Sequence, residues 1–169
     1  MKAARDPGMA DGSSILEGRS AFGDAIRGLL LALPEQVVRE VWMLGEDYDG
    51  WPLDDPSVLD ALSRWTRLPG RRIHMVGGDF EAVQQRFPRF SEWRRHRGHL
   101  FEAWQPAQAE RALMGSWLIA GSQAIELLDR QHWRARLVGD PAALRALNEK
   151  AVALLHRCEP GWPITTLGL

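Results

Sequence analysis

Cysteine, lysine and long apolar runs are all scarce in this chain of 169 residues. Its single cysteine, Cys158, excludes an internal disulfide and fits a reducing cytoplasm. The longest apolar run, from Leu29 to Leu33, is far too short to span a bilayer. The residues that follow Met1 are small and polar, so we expect a cytoplasmic protein without a signal peptide or a membrane span.

Motifs for several common kinds of site are missing as well. No histidines or cysteines stand in an H-E-x-x-H or C-x-x-C pattern, so we expect no zinc site. No G-x-G-x-x-G loop and no G-K-S/T loop follows a predicted strand, which argues against the corresponding nucleotide enzymes. Ser122 lacks the G-x-S-x-G frame of a hydrolase nucleophile. From these motifs we expect neither a metal nor a cofactor.

Charge is balanced over the whole chain but not along it. The formal net charge of −1 gives the molecule no global attraction to nucleic acid. Residues 46–60 hold six acids and no base, whereas the segment from Arg86 to Arg97 holds five arginines against Glu92. Because 19 of the 21 basic residues are arginine, the clustering of arginines is more informative than their number.

Helices and strands are predicted to alternate in the first part of the chain. The pattern first predicts a helix that starts at Ser20 and ends at Pro34, and then a strand over 37–44. A second helix starts at Asp55-Pro56 and is followed by a strand over 71–76. A short third helix is capped by Asp79 and interrupted by Pro88. Alternation of this kind favours a sheet with parallel neighbours.

The second part of the chain is predicted to be richer in strands. These strands cover His99–Trp104, Leu113–Ala120 and Ala124–Leu128, and the last two are expected to form a hairpin. A final helix starts at Asp140-Pro141. We therefore expect a single α/β domain over residues 19–169, with a mixed sheet flanked by helices, after a flexible leader over residues 1–18.

The arginine-rich segment is the first candidate site, and it has two interpretations. In the functional one, arginines bind phosphate groups while aromatic rings stack or anchor. The candidate ligand residues are Arg89, Trp93, Arg94, Arg95 and His99. In the alternative, Phe87, Phe90 and Trp93 have the core spacing of a helix, and the arginines line its solvent-facing side.

The acidic segment after the first long strand is the second candidate site. Asp47 and Asp49 follow the strand's carboxyl end, where open α/β sheets bind ligands, and Trp51 is close by. The two carboxylates could hold magnesium or act as an acid–base pair. Alternatively, the segment is a solvated loop in which the chain turns at Gly50 and Trp51 packs back onto the domain.

Four short motifs carry a resemblance to known proteins. They are Trp51-Pro52-Leu53, Pro88-Arg89-Phe90 with Trp93, Asp129-Arg130 with Trp133, and the terminal Thr165-Thr166-Leu167-Gly168-Leu169. From about Ser20 to its end, the chain resembles an uncharacterised family of small proteobacterial proteins. That family, with this order of elements, is similar to one half of the phospholipase D-like fold.

The resemblance also has implications for activity. Active members of that fold carry H-x-K-x4-D, in which the histidine attacks phosphorus and the lysine stabilises the phosphoryl charge. Here His99 matches the histidine, but Phe101 and Pro106 stand at the lysine and aspartate positions. Gly121-Ser122 matches a downstream Gly-Ser pair. The resemblance thus implies a non-catalytic relative with an anion-binding cleft near His99, and single-half members commonly form homodimers.

Three functions remain open from the sequence. The leading one is a non-enzymatic module that binds a phosphate-bearing ligand or nucleic acid. The second is a phosphodiesterase or other hydrolase that uses His99 with Glu102, or with Asp47 and Asp49. The third is a protein-interaction subunit, because eight tryptophans exceed what a small core needs and tryptophan is favoured at interfaces.

Overall fold

A computed structural model describes residues 13–164, which form one eight-stranded mixed sheet with helices packed on both faces. The strands are β1 (Ser13–Glu17), β2 (Glu40–Gly45), β3 (Arg72–Gly77), β4 (Phe101–Pro106), β5 (Ser116–Ala120), β6 (Gln123–Asp129), β7 (Arg134–Val138) and β8 (Cys158–Pro160). The α-helices are α1 (Arg19–Ala32), α2 (Pro56–Thr66), α3 (Phe80–Arg86), α4 (Pro88–Arg95), α5 (Gln108–Arg111) and α6 (Pro141–Leu155). The strand order is β1-β7-β6-β5-β2-β3-β4-β8.

The centre of the sheet is parallel, as the alternation of helices and strands predicts. Strand β3 pairs in parallel with both β2 and β4, with Met43 opposite Met75 in the first of these pairs. The other strand pairs are antiparallel. The predicted hairpin is confirmed as β5–β6, and its turn needs Gly121, whose φ of 62° is costly for residues with a Cβ. The prediction of a mixed α/β sheet is therefore confirmed.

Three aspartates start helices as their positions predict. The side chain of Asp55 accepts a hydrogen bond from the Ser57 backbone at 2.8 Å. Those of Asp79 and Asp140 each accept one, at 2.9 Å, from the backbone N–H three residues ahead. Each carboxylate satisfies an N–H that the first helical turn leaves without a partner.

The cap at Asp55 makes a testable contribution to stability. The pKa of Asp55 is lowered from 3.8 to about 2. The hydrogen bond from Arg27 is the largest cause, and hydrogen bonds from Ser57 lower the pKa further, whereas burial acts to raise it. A carboxylate with a lowered folded-state pKa stabilises the protein above its unfolded pKa, and this contribution disappears as the pH falls through 2. Asp55→Asn keeps a capping oxygen but removes the charge, so we expect a loss of about 1 kcal/mol at pH 7.

Urea unfolding of the wild type and of Asp55→Asn at several pH values measures this contribution. The difference between the two proteins should be present at pH 7 and should close between about pH 4 and pH 2. A difference that stays constant over this range would show that the charge of Asp55 contributes nothing.

Several strands differ from the sequence-based prediction. The predicted flexible leader includes residues 13–17, yet Ser13–Glu17 pairs with β7 as an edge strand. The rest of that leader, residues 1–12, and the terminal motif at residues 165–169 lie outside the described residues. Neither β7 nor β8 was predicted. Three predicted strands begin two or three residues later than expected. Strand β2 starts at Glu40, Gly98–Leu100 forms a 3-10 turn before β4, and β5 starts only at Ser116.

The core has one layer on each face of the sheet. Helices α1 to α4 cover one face, and α2 contributes Trp65, which is fully buried and donates its Nε1 hydrogen to the Val38 carbonyl at 2.8 Å. Helix α6 covers part of the other face through Leu147 and Ala151. Within residues 13–164, no helix has the length and apolar character needed to cross a bilayer.

Candidate functional site

The arginine-rich segment folds as α4 and the turn after it, and the helix separates its rings from most of its cations. Phe90 is fully buried and Trp93 is nearly so, in agreement with their core spacing. Trp93 lies against Phe90 with ring centroids 5.8 Å apart, and its Nε1 donates to Ser63 Oγ at 2.8 Å. Trp93 therefore supports the core and presents no open face to a ligand.

Arg94 differs from the other cations of α4 because it is buried, with 5% of its surface exposed. Its Nη2 donates to the backbone carbonyl of Trp162 at 2.6 Å, and its guanidinium carbon lies 4.1 Å from the centre of the Trp162 ring. Its Nε has no hydrogen-bond partner among the described residues. Burial lowers the pKa of Arg94 to about 10, so the side chain stays protonated at neutral pH.

The contacts of Arg94 offset much of the free-energy cost of its burial, but they leave its charge without an anionic partner and its Nε hydrogen without an acceptor among the described residues. No carboxylate in residues 13–164 forms an ion pair with it. Taking a cation out of water costs several kcal/mol. A desolvated aromatic ring returns about 2 kcal/mol, and a charged hydrogen bond about 1.5–3 kcal/mol. A bound anion would supply the missing partner.

Arg94 lines a cleft of about 500 Å³ between α3, α4 and the segment after β8. Arg95 and Arg111 also line it, together with Gln84, Ser91 and Gln105. Two acids, Asp79 and Glu81, lie at the same cleft, so its formal charge is positive by one. The cleft thus combines a buried cation, two more guanidinium groups and neutral hydrogen-bonding side chains.

The two other arginines of the cleft are held loosely. Arg95 pairs with Glu92 at 3.2 Å, but both side chains are more than half exposed, and such pairs contribute little. Arg111 donates its Nε hydrogen to the Pro106 carbonyl at 3.2 Å. Both guanidinium groups can therefore turn towards an anion without breaking a buried ion pair.

Trp162 contacts Arg94 through both its backbone carbonyl and its ring. Its φ of 45° lies in the left-handed region, which strains a residue with a Cβ. Its ring is 9% exposed and packs 5.2 Å from Phe80 and 6.2 Å from Phe90, measured between centroids. Trp162, Arg111 and Gln105 are not among the ligand residues predicted from the sequence, where the only signal for them is one more tryptophan near the end of the chain.

The predicted ligand residues of the arginine-rich segment converge only in part. Arg94 and Arg95 meet at the cleft. Arg89 is exposed and lies away from the cleft lining. His99 is exposed in the 3-10 turn Gly98–Leu100 and also lies outside the lining. The cleft is therefore centred on Arg94 and not on His99.

The acidic segment forms a network of ion pairs. Arg130 donates to both carboxylate oxygens of Asp47 at 3.0 Å. Arg86 lies 3.3 Å from the same carboxylate and also donates to the Asp47 carbonyl at 2.8 Å. Arg19 pairs with Asp49 at 2.5 Å. Each predicted carboxylate of this segment is thus neutralised by an arginine of the same chain.

This network sets the protonation of Asp47. Burial raises the pKa of Asp47, but the hydrogen bond from the Asp49 backbone and the charges of Arg130 and Arg86 outweigh it and hold the pKa below its usual value. A carboxylate of this kind stays ionised and is a poor general acid at neutral pH. The neighbouring Trp51 is 4% exposed and donates its Nε1 hydrogen to Ser116 Oγ at 2.9 Å, so it packs back onto the domain.

The structure does not bring His99 and Glu102 together. Glu102 lies on β4 and pairs with Arg72 and with His74, whose Nδ1 is 3.0 Å from its carboxylate. His74 is also stacked on Trp42, with centroids 4.2 Å apart. In the part of the chain that the structure describes, no group of three or more His, Cys, Asp or Glu residues could hold a metal ion.

The eight tryptophans serve the interior. All of them are buried or partly buried, and none is exposed. The two core layers and the cleft wall therefore use most of the tryptophan surface, and the protein-interaction subunit stays a prediction.

Comparison with known proteins supports the fold. No protein-family model and no curated protein sequence matches the chain. Among solved structures, it is similar to TrmBL2, an archaeal chromatin protein with a novel mode of DNA binding (TM-score 0.65, 10% identity, 95% of this chain and 57% of that chain). It is also similar to Nuc from Salmonella typhimurium, a phospholipase D family member (TM-score 0.57, 12% identity, 89% and 99%). A third similar structure is NucT from Helicobacter pylori (TM-score 0.56, 8% identity, 88% and 98%).

These similarities show the fold alone, because the identities are low. The chain has a phospholipase D-like fold and spans nearly the whole of Nuc, but little more than half of TrmBL2. The phospholipase D-like resemblance found in the sequence is thus confirmed for the fold. The narrower assignment to an uncharacterised proteobacterial family stays a prediction.

Proposed function

We propose that this protein is a non-catalytic phospholipase D-like domain that binds a phosphate-bearing ligand in the cleft around Arg94. The observation that carries the proposal is a buried guanidinium without a carboxylate partner among the described residues. Perturbed ionisable groups in clefts are candidates for functional sites. Arg95 and Arg111 add two forks that match phosphate oxygens.

The absence of catalysis is part of the proposal. With His99 at the histidine position of H-x-K-x4-D, Phe101 and Pro106 replace the charged residues of the motif. His99 is exposed, and the carboxylate of Glu102 pairs with Arg72 and lies 3.0 Å from Nδ1 of His74. A histidine nucleophile needs a positioned partner, and no contact of His99 supplies one among the described residues.

Two similar structures favour a phosphate-bearing ligand. TrmBL2 binds DNA, and Nuc belongs to the phospholipase D family. Proteins that bind nucleic acid draw much of their affinity from arginine contacts to phosphates. The cleft of this protein offers the same arginine chemistry, although the whole chain has a formal net charge of −1.

Titration with a fluorescent single-stranded oligonucleotide of about 12 nucleotides, within the usual range for single-strand sites, tests the proposal. Fluorescence anisotropy at low and moderate salt should show binding that weakens as salt rises. The double variant Arg95→Ala/Arg111→Ala should bind about tenfold more weakly or worse, because it loses two charged contacts.

Arg145→Ala is the matched control, since Arg145 is exposed on α6, outside the cleft. It should bind as the wild type does. If the wild type does not bind at low salt, or if the double variant binds with unchanged affinity, the proposed function is wrong.

A further inference from the structure

The neutral amide side chains of the Arg94 cleft are arranged to accept hydrogen bonds. Gln84 donates an Nε2 hydrogen to the Phe80 carbonyl at 3.2 Å. Gln105 donates an Nε2 hydrogen to the Gly78 carbonyl at 2.9 Å. Each amide is held through its nitrogen, so its Oε1 is left without a donor among the described residues and can accept from a ligand.

Three further side chains of the cleft add acceptors. Ser91 donates its hydroxyl hydrogen to the Phe87 carbonyl at 2.8 Å, which leaves its Oγ as an acceptor. Asp79 and Glu81 contribute carboxylates, and neither forms an ion pair with an arginine in residues 13–164. Apart from its guanidinium groups, the cleft therefore offers mainly acceptors.

A ligand made of phosphate groups alone would use only part of this cleft. Phosphate oxygens accept from guanidinium groups, but they offer no hydrogen to amide and carboxylate oxygens. A chain of several phosphates would also be repelled by Asp79 and Glu81, and the formal charge of the cleft is only +1. A ligand that fits both kinds of group carries one phosphate and several hydrogen-bond donors.

The cations of the cleft match one terminal phosphate group. Arg94 is 5% exposed, and its Nε has no hydrogen-bond partner among the described residues. Arg95 and Arg111 bring the number of guanidinium groups to three. A phosphate monoester presents three terminal oxygens and about two negative charges at pH 7, whereas a phosphodiester inside a strand presents fewer of both. The three arginines therefore favour a monoester.

The cleft has room for more than a phosphate group. Its volume of about 500 Å³ falls within the roughly 300–1,000 Å³ of small-molecule sites. The rings that line it, Phe80 and Trp162, are each less than 10% exposed and offer no open face on which a base could stack. The space beside the arginines is thus bordered by acceptors, which suit the hydroxyl groups of a sugar.

We propose that the Arg94 cleft binds a sugar phosphate, with its monoester group on Arg94, Arg95 and Arg111 and its hydroxyls on the acceptors of α3 and β4. This inference rests on the proposed function and names the class of ligand for the same site. Two sources carry this chemistry. One is a free sugar phosphate, and the other is the 5′-phosphorylated end of an RNA strand, whose first ribose keeps its 2′-hydroxyl.

Ribose 5-phosphate and ethyl phosphate test the role of the hydroxyls, because both are phosphate monoesters and only the first carries a sugar. The rise in Tm with increasing concentration of each compound gives its affinity for the wild type. We expect ribose 5-phosphate to bind about tenfold more tightly, since it adds two or more hydrogen bonds from hydroxyls to the cleft.

The double variant Glu81→Ala/Gln84→Ala tests the acceptors, and both residues are exposed on α3. It should bind ribose 5-phosphate about as weakly as ethyl phosphate, while its affinity for ethyl phosphate should not fall. Arg95→Ala/Arg111→Ala should weaken the binding of both compounds. Glu149→Ala, exposed on α6 outside the cleft, is the matched control and should bind both as the wild type does.

Two RNA strands of about 12 nucleotides, one with a 5′-phosphate and one with a 5′-hydroxyl, distinguish the two sources by anisotropy titration. If the phosphorylated strand binds about tenfold more tightly than both the other strand and ribose 5-phosphate, the ligand is the end of a strand. If the two strands bind alike and ribose 5-phosphate displaces both, the ligand is a free sugar phosphate.

The remaining outcomes separate this inference from the proposed function. If ethyl phosphate binds as tightly as ribose 5-phosphate, the cleft recognises phosphate alone, so the inference is wrong and the proposed function stands. If Glu81→Ala/Gln84→Ala weakens the binding of both compounds equally, the acceptors do not recognise hydroxyls and the inference again fails. If neither compound nor an oligonucleotide binds, the proposed function fails together with the inference.

Discussion

Replacing Arg94 by methionine is expected to weaken oligonucleotide binding about 100-fold in a protein that still folds. The loss follows from the removal of a buried charged contact, worth about 3 kcal/mol, and each 1.4 kcal/mol is a factor of ten in affinity. The stability should change much less, because the relief of a buried charge offsets the lost bond to the Trp162 carbonyl and the lost ring contact. Anisotropy titration and urea unfolding of the same preparations measure both effects.

Arg94→Lys is the conservative comparison. Lysine keeps the charge, but its three donors lie on one compact ammonium group and lack the planar fork with which arginine can bind the Trp162 carbonyl and an anion at the same time. We expect it to recover part of the affinity that methionine loses, with a salt slope near that of the wild type. If Arg94→Met folds and binds with unchanged affinity, Arg94 is a structural residue and the cleft is not the site.

The fold could be predicted from the sequence where its signals are local. Asp55, Asp79 and Asp140 each precede a helix whose first turn needs a cap, and all three act as predicted. Edge strands have no such signal. Ser13–Glu17 becomes a strand only because it meets β7, a partner more than a hundred residues away in the chain.

The site was harder to predict because it depends on helix phase and on a distant contact. Arg94 and Arg95 are neighbours of the same type, yet one is buried and the other exposed, and only the docking of α4 decides which. The partner of Arg94 is the carbonyl of Trp162, 68 residues further along. The acidic segment was misleading for a related reason, since the distant Arg130 and Arg86 neutralise Asp47.

Replacing Trp162 by alanine is expected to lower the free energy of unfolding by about 3–5 kcal/mol, as for other buried aromatic residues. The ring is 9% exposed and lies against Phe80, Phe90 and the guanidinium of Arg94. The substitution also removes one of the contacts that fix Arg94, so oligonucleotide affinity should fall in the fraction that remains folded. Leu113→Ala, at a residue that is 86% exposed, should stay within about 0.5 kcal/mol of the wild type.

Trp162→Gly separates the packing of the Trp162 ring from the strain of its left-handed backbone. Both small residues remove the ring, but only glycine adopts a φ of 45° without strain. In most folded positions glycine is the less stable choice, because its unfolded chain has more freedom. Here we expect Trp162→Gly to be more stable than Trp162→Ala by about 1 kcal/mol in urea unfolding. If alanine proves the more stable of the two, the left-handed backbone at the cleft wall is not a source of strain.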